Sequence, residues 1–182
     1  MILGVEPELL TWIVARATGL ASYAALCIAV LSGIALRTSM LDFLANNRAL
    51  RAMHDFMSFI WLPLGATHVV ALVLDKTARI DVIDLFVPFL TDYGQLAIGL
   101  GTISLDLVVL IGVTSWLRDR LNVNLWRWLH RSAYAMFAVT FLHAYLSGTD
   151  FDSPLISAIS WSAAAGIALL AVSRIALGRL PD

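Results

Sequence analysis

Cysteine, lysine and charge of either sign are all scarce in this chain of 182 residues. The single cysteine, Cys27, has no second thiol to meet. A disulfide within the chain, a thiolate metal cluster and covalent cofactor attachment through paired cysteines are therefore excluded, and Cys27 reads as a buried thiol in an apolar run. Charged residues make up 14% and the net charge is -1, so no basic surface marks nucleic acid as a partner. Internal repeats, low-complexity tracts and flexible linkers are also lacking, and one domain over 1–182 is expected. One lysine against 11 arginines, with abundant alanine, hints at a GC-rich bacterial genome.

What fills the chain is apolar: 60% hydrophobic residues and a mean hydropathy of +0.84. Those values belong to an all-α integral membrane protein, and little chain is left for a soluble domain. Taking about 20 apolar residues per crossing, five transmembrane helices are expected, at Leu9–Leu36, Phe56–Leu74, Leu96–Leu117, Leu125–Leu146 and Leu155–Leu177. The first is expected to stay as a helix: Glu6 and Glu8, not cations, precede it, and its run is too long for a removable signal. Between the second and third spans, Val82, Ile83, Leu85, Phe86, Val87, Phe89 and Leu90 suggest a short interfacial helix, bent by Pro88.

Cations orient the bundle, because cytoplasmic loops retain them. Arg37, Arg48 and Arg51 follow the first span, Arg118, Arg120, Arg127 and Arg131 join the third to the fourth, and Arg174 and Arg179 close the chain. The amino terminus is accordingly expected outside and the carboxyl terminus inside, in the cell membrane of a bacterium.

The four histidines all fall within two of these apolar segments, His54 and His68 in one, His130 and His143 in the other. Imidazole at hydrocarbon depth is costly without a partner and marks a functional candidate. On the predicted topology both segments run from inside to outside, so His54 and His130 share the inner level and His68 and His143 the outer. Fourteen residues turn about 1400°, roughly 40° short of four turns, and rise about 21 Å, so His54 and His68 leave nearly one face. Two stacked haems, each iron taking one histidine from each segment, suit that offset. Thirteen residues turn about 1300°, which leaves His130 and His143 about 140° apart on an ideal helix. A winding irregularity, bend or bulge between Arg131 and Leu142 is expected, or else ligands that approach their irons from different directions. Other readings of the histidines are hydrogen-bonded core residues, ligands of a bare metal ion in a transporter, or a proton relay. Asp55, beside His54, reads as a charge at the helix start.

The separations, with Thr114-Ser115-Trp116-Leu117-Arg118, Leu125-Trp126-Arg127-Trp128-Leu129-His130-Arg131 and His143-Ala144-Tyr145-Leu146-Ser147-Gly148-Thr149-Asp150, resemble the ferric reductase-like transmembrane family. That family includes the membrane cores of NADPH oxidases and the haem subunit of a bacterial methionine sulfoxide reductase system. The resemblance runs roughly from Leu9 to Asp150. It implies an inner haem b on His54 and His130, an outer haem b on His68 and His143, and electrons passing from an inner donor to an outer acceptor. Only Gly178 to Asp182 follow Leu177, so no flavin or nicotinamide domain is expected and a one-chain NADPH-driven enzyme is not.

Further residues carry two readings each. Arg16, about two turns into the first span, reads as a contact to a haem propionate or as a cation that snorkels or pairs with a protein acid. Asp106, mid-way along the third span, reads as a hydrogen-bonded or ion-paired group inside the bundle, with Arg16 one candidate, or as a proton carrier to a quinone or oxygen site. Arg48, Arg51, Arg127 and Arg131 hold the topology, dock an acidic donor or bind propionates, Arg131 beside His130 above all. Trp61 lies seven residues from both His54 and His68, and Phe137 lies between His130 and His143; each reads as core packing or as the aromatic that the resembling family places between its haems. Pro63 and Gly65 bend the second span and give room before His68. Gly99-Leu100-Gly101 and Ala163-Ala164-Ala165-Gly166 read as close helix contacts, since no strand precedes either to make a dinucleotide fingerprint.

The function expected is a di-haem b electron-transfer subunit, a component of an oxidoreductase that is not catalytically complete alone. It would sit in lipid within a hetero-oligomeric complex. Its donor would be a flavoprotein or quinol, with flavin or quinone at the inner interface, and its acceptor a soluble redox protein, ferric iron or oxygen. The other class considered is an accessory haem-binding subunit of a respiratory or photosynthetic assembly.

Overall fold

A computed structural model describes residues 7–36 and 46–176. Six α-helices appear: α1 (Pro7–Ala35), α2 (Asn47–Leu74), α3 (Gln95–Trp116), α4 (Val123–His130), α5 (Ala133–Ser147) and α6 (Pro154–Ala176). Single 3-10 turns stand at Val82–Leu85, Arg118–Arg120 and Thr149–Asp152, and no strand occurs among the described residues. Arg37, Leu177 and Arg179, used above for orientation and for the end of the last span, lie outside the described residues.

Four helices, α1, α2, α3 and α6, are long and apolar enough to cross a membrane. They correspond to the expected first, second, third and fifth spans. α2 starts nine residues before its expected span because Asn46 Oδ1 accepts from the Ala49 amide (2.9 Å) and caps a polar first turn that hydropathy does not count.

The expected fourth span is not one helix. It divides into α4, 8 residues, and α5, 15 residues, at Arg131 and Ser132. No proline or glycine causes the break. The Ser132 hydroxyl donates to the Leu129 carbonyl (2.7 Å), and the Arg131 amide is shared between the carbonyls of Arg127 and Trp128, both at 3.2 Å. Arg131 (φ -67, ψ -17) and Ser132 (φ -61, ψ -12) wind close to 3-10 geometry. A 3-10 step turns about 120° where an α step turns about 100°, so two such residues recover about 40° of the 140° mismatch between His130 and His143. The irregularity expected between Arg131 and Leu142 thus falls at the start of that interval. At about 22 Å, α5 alone is shorter than a hydrocarbon core of about 30 Å.

The expected interfacial helix over 82–90 shrinks to the turn Val82–Leu85. Pro88 has no amide to donate and Phe89 takes a left-handed φ of 64°, which together stop helical winding. The turn is closed by Asp84 accepting from the Asp81 amide (2.9 Å) and is held to α3 by Thr102 Oγ1 donating to the Asp84 carbonyl (2.7 Å). The Phe89 ring lies directly on Gly99, where an added Cβ would meet it at 2.1 Å.

The chain forms two compact units. In one, which takes in Val69–Gly148 and the start of α1 up to Ala15, α3 packs along α5. In the other, Arg16–His68 with the chain from Thr149 onward, α1 and α2 run antiparallel. Gly19 meets His68, Ser22 meets Gly65 and Gly33 meets His54, so the two helices advance in opposite directions by matching steps. The turn Thr149–Asp152 is fastened to α1 by Arg16 Nε to Asp150 Oδ2 (2.7 Å), Arg16 Nη2 to Asp150 Oδ1 (2.6 Å), and the rings of Tyr23 and Phe151 (centroids 6.5 Å apart). Seven residues separate Arg16 from Tyr23, about 20° short of two full turns, so both fasteners leave one face of α1.

A fork of two charge-assisted bonds with its acid largely buried makes Asp150 hard to replace. Asp150→Ala is expected to destabilise the protein by about 1–3 kcal/mol, through a guanidinium left unpaired. Asp150→Glu should recover part of that loss. Denaturant unfolding in detergent micelles, followed by circular dichroism, measures both.

Candidate functional site: histidines seated over glycine

Three of the four histidines have a ring edge set against a glycine of a neighbouring helix, and two of these also reach a backbone carbonyl. His54 on α2 has Nδ1 2.8 Å from the Ala29 carbonyl of α1, and an added Cβ on Gly33 would lie 3.0 Å from its Cε1. His143 on α5 has Nδ1 2.7 Å from the Ala97 carbonyl of α3, and a Cβ on Gly101 would lie 2.8 Å from its Cε1. The acceptor is residue n and the glycine is residue n+4 in both. In an α-helix the carbonyl of n points at the amide of n+4, so a ring reaching that carbonyl from outside must pass over the Cα of n+4. Any side chain there blocks it. At His68 the same ring edge faces a glycine, with Nδ1 2.8 Å and Cε1 3.0 Å from a Cβ built on Gly19. Gly19 also follows an alanine by four residues, Ala15, as Gly33 follows Ala29 and Gly101 follows Ala97.

The hydrogen bond decides the tautomer. A carbonyl oxygen only accepts, so in the neutral ring Nδ1 of His54 and of His143 carries the proton and Nε2 presents its lone pair. This is the usual second-sphere arrangement of a metal-ligating histidine: the distal nitrogen donates to a backbone carbonyl, which fixes the ring and raises the basicity of the ligating nitrogen. Among the described residues no three His, Cys, Asp or Glu side chains gather into a group that would hold a bare metal ion. Haem iron needs only two protein ligands, and imidazoles set up in this way suit it.

His130 is placed differently. It ends α4, half-buried, with the Trp126 ring stacked on its imidazole (centroids 5.2 Å, planes 21° apart). The next residue, Arg131, is exposed at the helix break, and Arg48, Arg51 and Arg127 are exposed as well.

The remaining candidates separate. Arg16 pairs with the protein acid Asp150, the last residue of the motif that begins at His143. Asp106 is exposed on α3, which corrects its placement inside the bundle. Trp61 stays half-buried near the face of α2 that carries His54 and His68, and its carbonyl accepts a long bond from Ser22 Oγ (3.4 Å). Phe137 is 5% exposed and, six residues from His143 on regular helix, lies about 120° away from it. Buried Met136, seven residues before His143, is the one below that histidine on the same face. Pro63 lies within the unbroken α2. Gly101 makes the close helix contact expected of it, Gly99 meets the ring of Phe89 from the connecting segment and not a helix, and Gly166 has nothing within 4 Å of its built Cβ.

Gly19, Gly33 and Gly101, with the carbonyls of Ala29 and Ala97, escape a reading that looks only for ligating side chains. A signal was present nonetheless: Gly19 and Gly33 are separated by 14 residues, the same interval as His54 and His68.

A family model described as ferric reductase like transmembrane component matches residues 18–141, most of the chain and all of His54, His68 and His130. Comparison with curated proteins finds no match, and comparison with solved structures finds none.

Glycine substitution tests the seating directly. Gly33→Ala and Gly101→Ala each force the imidazole or its helix to shift, and a loss of about 1–3 kcal/mol is expected for such overpacking. Gly112→Ala, with open space around its Cβ, should be neutral or gain up to about 1 kcal/mol from helix propensity. Thermal unfolding of the three variants in one detergent distinguishes seating from a general effect of losing glycine.

Proposed function

The chain belongs to the ferric reductase-like transmembrane family, and from that membership we propose that it is a di-haem b subunit carrying electrons across a bacterial inner membrane. The observation that carries the reading is the Nδ1-to-carbonyl bond at His54 and His143 over a facing glycine, which leaves Nε2 of each ring as a ligand atom. His54 with His130 would hold an inner haem and His68 with His143 an outer one. Bound there, haem iron supplies reversible one-electron chemistry. Two histidines on each haem would favour electron transfer over binding of an outside molecule.

The residues of the chain have definable tasks in this reading. The Ala29 and Ala97 carbonyls hold the proton of His54 and His143 on Nδ1 and orient the rings. Trp126 holds the His130 ring by stacking. Arg131, exposed next to His130, supplies a cation for a propionate at the inner level. Trp61 supplies a polarisable ring on the histidine face of α2. In this reading α4 and α5 together make the fourth of five crossings, with the amino terminus outside, as the placement of arginines favours. The donor is an inner flavoprotein or quinol and the acceptor an outer redox partner.

Haem count and ligand pairing test the proposal. The pyridine haemochrome assay should give two haems b per chain. His54→Ala combined with His130→Ala should retain one haem, His68→Ala combined with His143→Ala should retain the other, and His54→Ala with His68→Ala should lose both. A wild-type protein without a Soret band, or the first pair losing both haems while the third keeps one, would refute the assignment. Haems that no cytosolic or membrane donor reduces would favour an accessory subunit over an electron carrier.

A further inference from the structure

Asp106 occupies the middle of the 22-residue α3, about 16 Å from either end. A carboxyl group at that depth needs a donor or a cation, because hydrocarbon offers neither. It is exposed, and α3 contains no lysine, arginine or histidine. Among the described residues the cation held by a strong ion pair, Arg16, goes to Asp150 instead. The group is also turned away from the histidine site: Asp106 lies about 140° around α3 from Gly101, which faces His143, and about 180° from Ala97, whose carbonyl His143 uses.

The rest of that face is informative. Thr102 and Gly99, one and two turns toward the start of α3, are covered by the Asp84 backbone and by Phe89. Cover ends at Asp106. Beyond it Val109, Leu110 and Val113 are all exposed large apolar residues at helical spacing, and the face closes on Trp116, 82% exposed at the end of α3. One acid thus heads an uncovered apolar stripe that runs from the centre of the helix to its last turn.

We infer that this stripe is an intramembrane interface for a helix of another membrane protein, and that the partner helix carries an arginine or lysine at mid-depth to meet Asp106. Charge complementarity selects that occupant. A second copy of this chain packing the same stripe about a two-fold axis would bring a carboxyl group to Asp106 and no cation, since α3 has none to offer. The inference is independent of haem binding.

Photocrosslinking in intact membranes tests it, with a diazirine side chain installed in the full chain at Val109 or at Val113 and the captured peptide sequenced by mass spectrometry. The expected product is an apolar segment of a different protein containing Arg or Lys. Its yield should fall about tenfold or more in Asp106→Asn and in Asp106→Leu, and return in Asp106→Glu or when Asp106→Lys is combined with an acid at the partner's basic position. Capture of lipid alone, capture of a second copy of this chain, a captured segment without a basic residue, or an undiminished yield in Asp106→Leu would each overturn the proposal. Haem content, which Asp106→Leu should leave unchanged, separates loss of the interface from failure of the electron-transfer reading.

Discussion

An imidazole N–H placed at hydrocarbon depth must find an acceptor, and in this protein the acceptor is the backbone of a neighbouring helix. A helical carbonyl has two lone pairs and spends one on its own helix, so it can take a second hydrogen bond without unwinding. Leaving such a donor unmet costs about 2–7 kcal/mol in apolar surroundings, far more than a glycine costs a helix. The need for a close approach then dictates the rest: a glycine four residues after each acceptor, a short distance between helices, and a register that brings ring and carbonyl together. The seats of His54 and His143 are built in this way in separate units, from separate helix pairs.

The same economy of polar groups explains the departures from regular helix. Ser132 satisfies itself on Leu129 and tightens the chain at the point where a 13-residue spacing needs extra rotation. Arg16, expensive within an apolar helix, is matched by an acid delivered from the 3-10 turn before α6. Thr102 meets the carbonyl of Asp84 and so fastens the connection between α2 and α3. Asp106 alone among these polar groups faces outward on an uncovered apolar stripe.

Much of the fold was legible in order of residues. Four apolar runs became four helices capable of crossing a membrane, because hydrophobic length is a one-dimensional property that the bilayer reads directly. The family, too, followed from motifs close in sequence. The fourth segment failed as a single helix because hydropathy does not register a break made by a serine hydroxyl and a shared amide. The interfacial helix failed because seven apolar residues in nine suggest amphipathic winding, while Pro88 and the left-handed Phe89 forbid it. Within the candidate site the histidines were visible as polar residues out of place. Their seats were not, since glycine has no side chain to advertise a role and its meaning depends on what lies opposite.

By itself, the sequence determined that this chain lives in a membrane, that its helices are apolar along their length, and that four imidazoles stand in two pairs within the apolar segments. These are consequences of composition and spacing, and they hold before any helix meets another. Tertiary structure decided which nitrogen of His54 and His143 keeps its proton, which acid takes Arg16, and which side of α3 remains bare. Each of those depends on a group far away in sequence brought within about 3 Å, the range over which hydrogen bonds and ion pairs discriminate one partner from another.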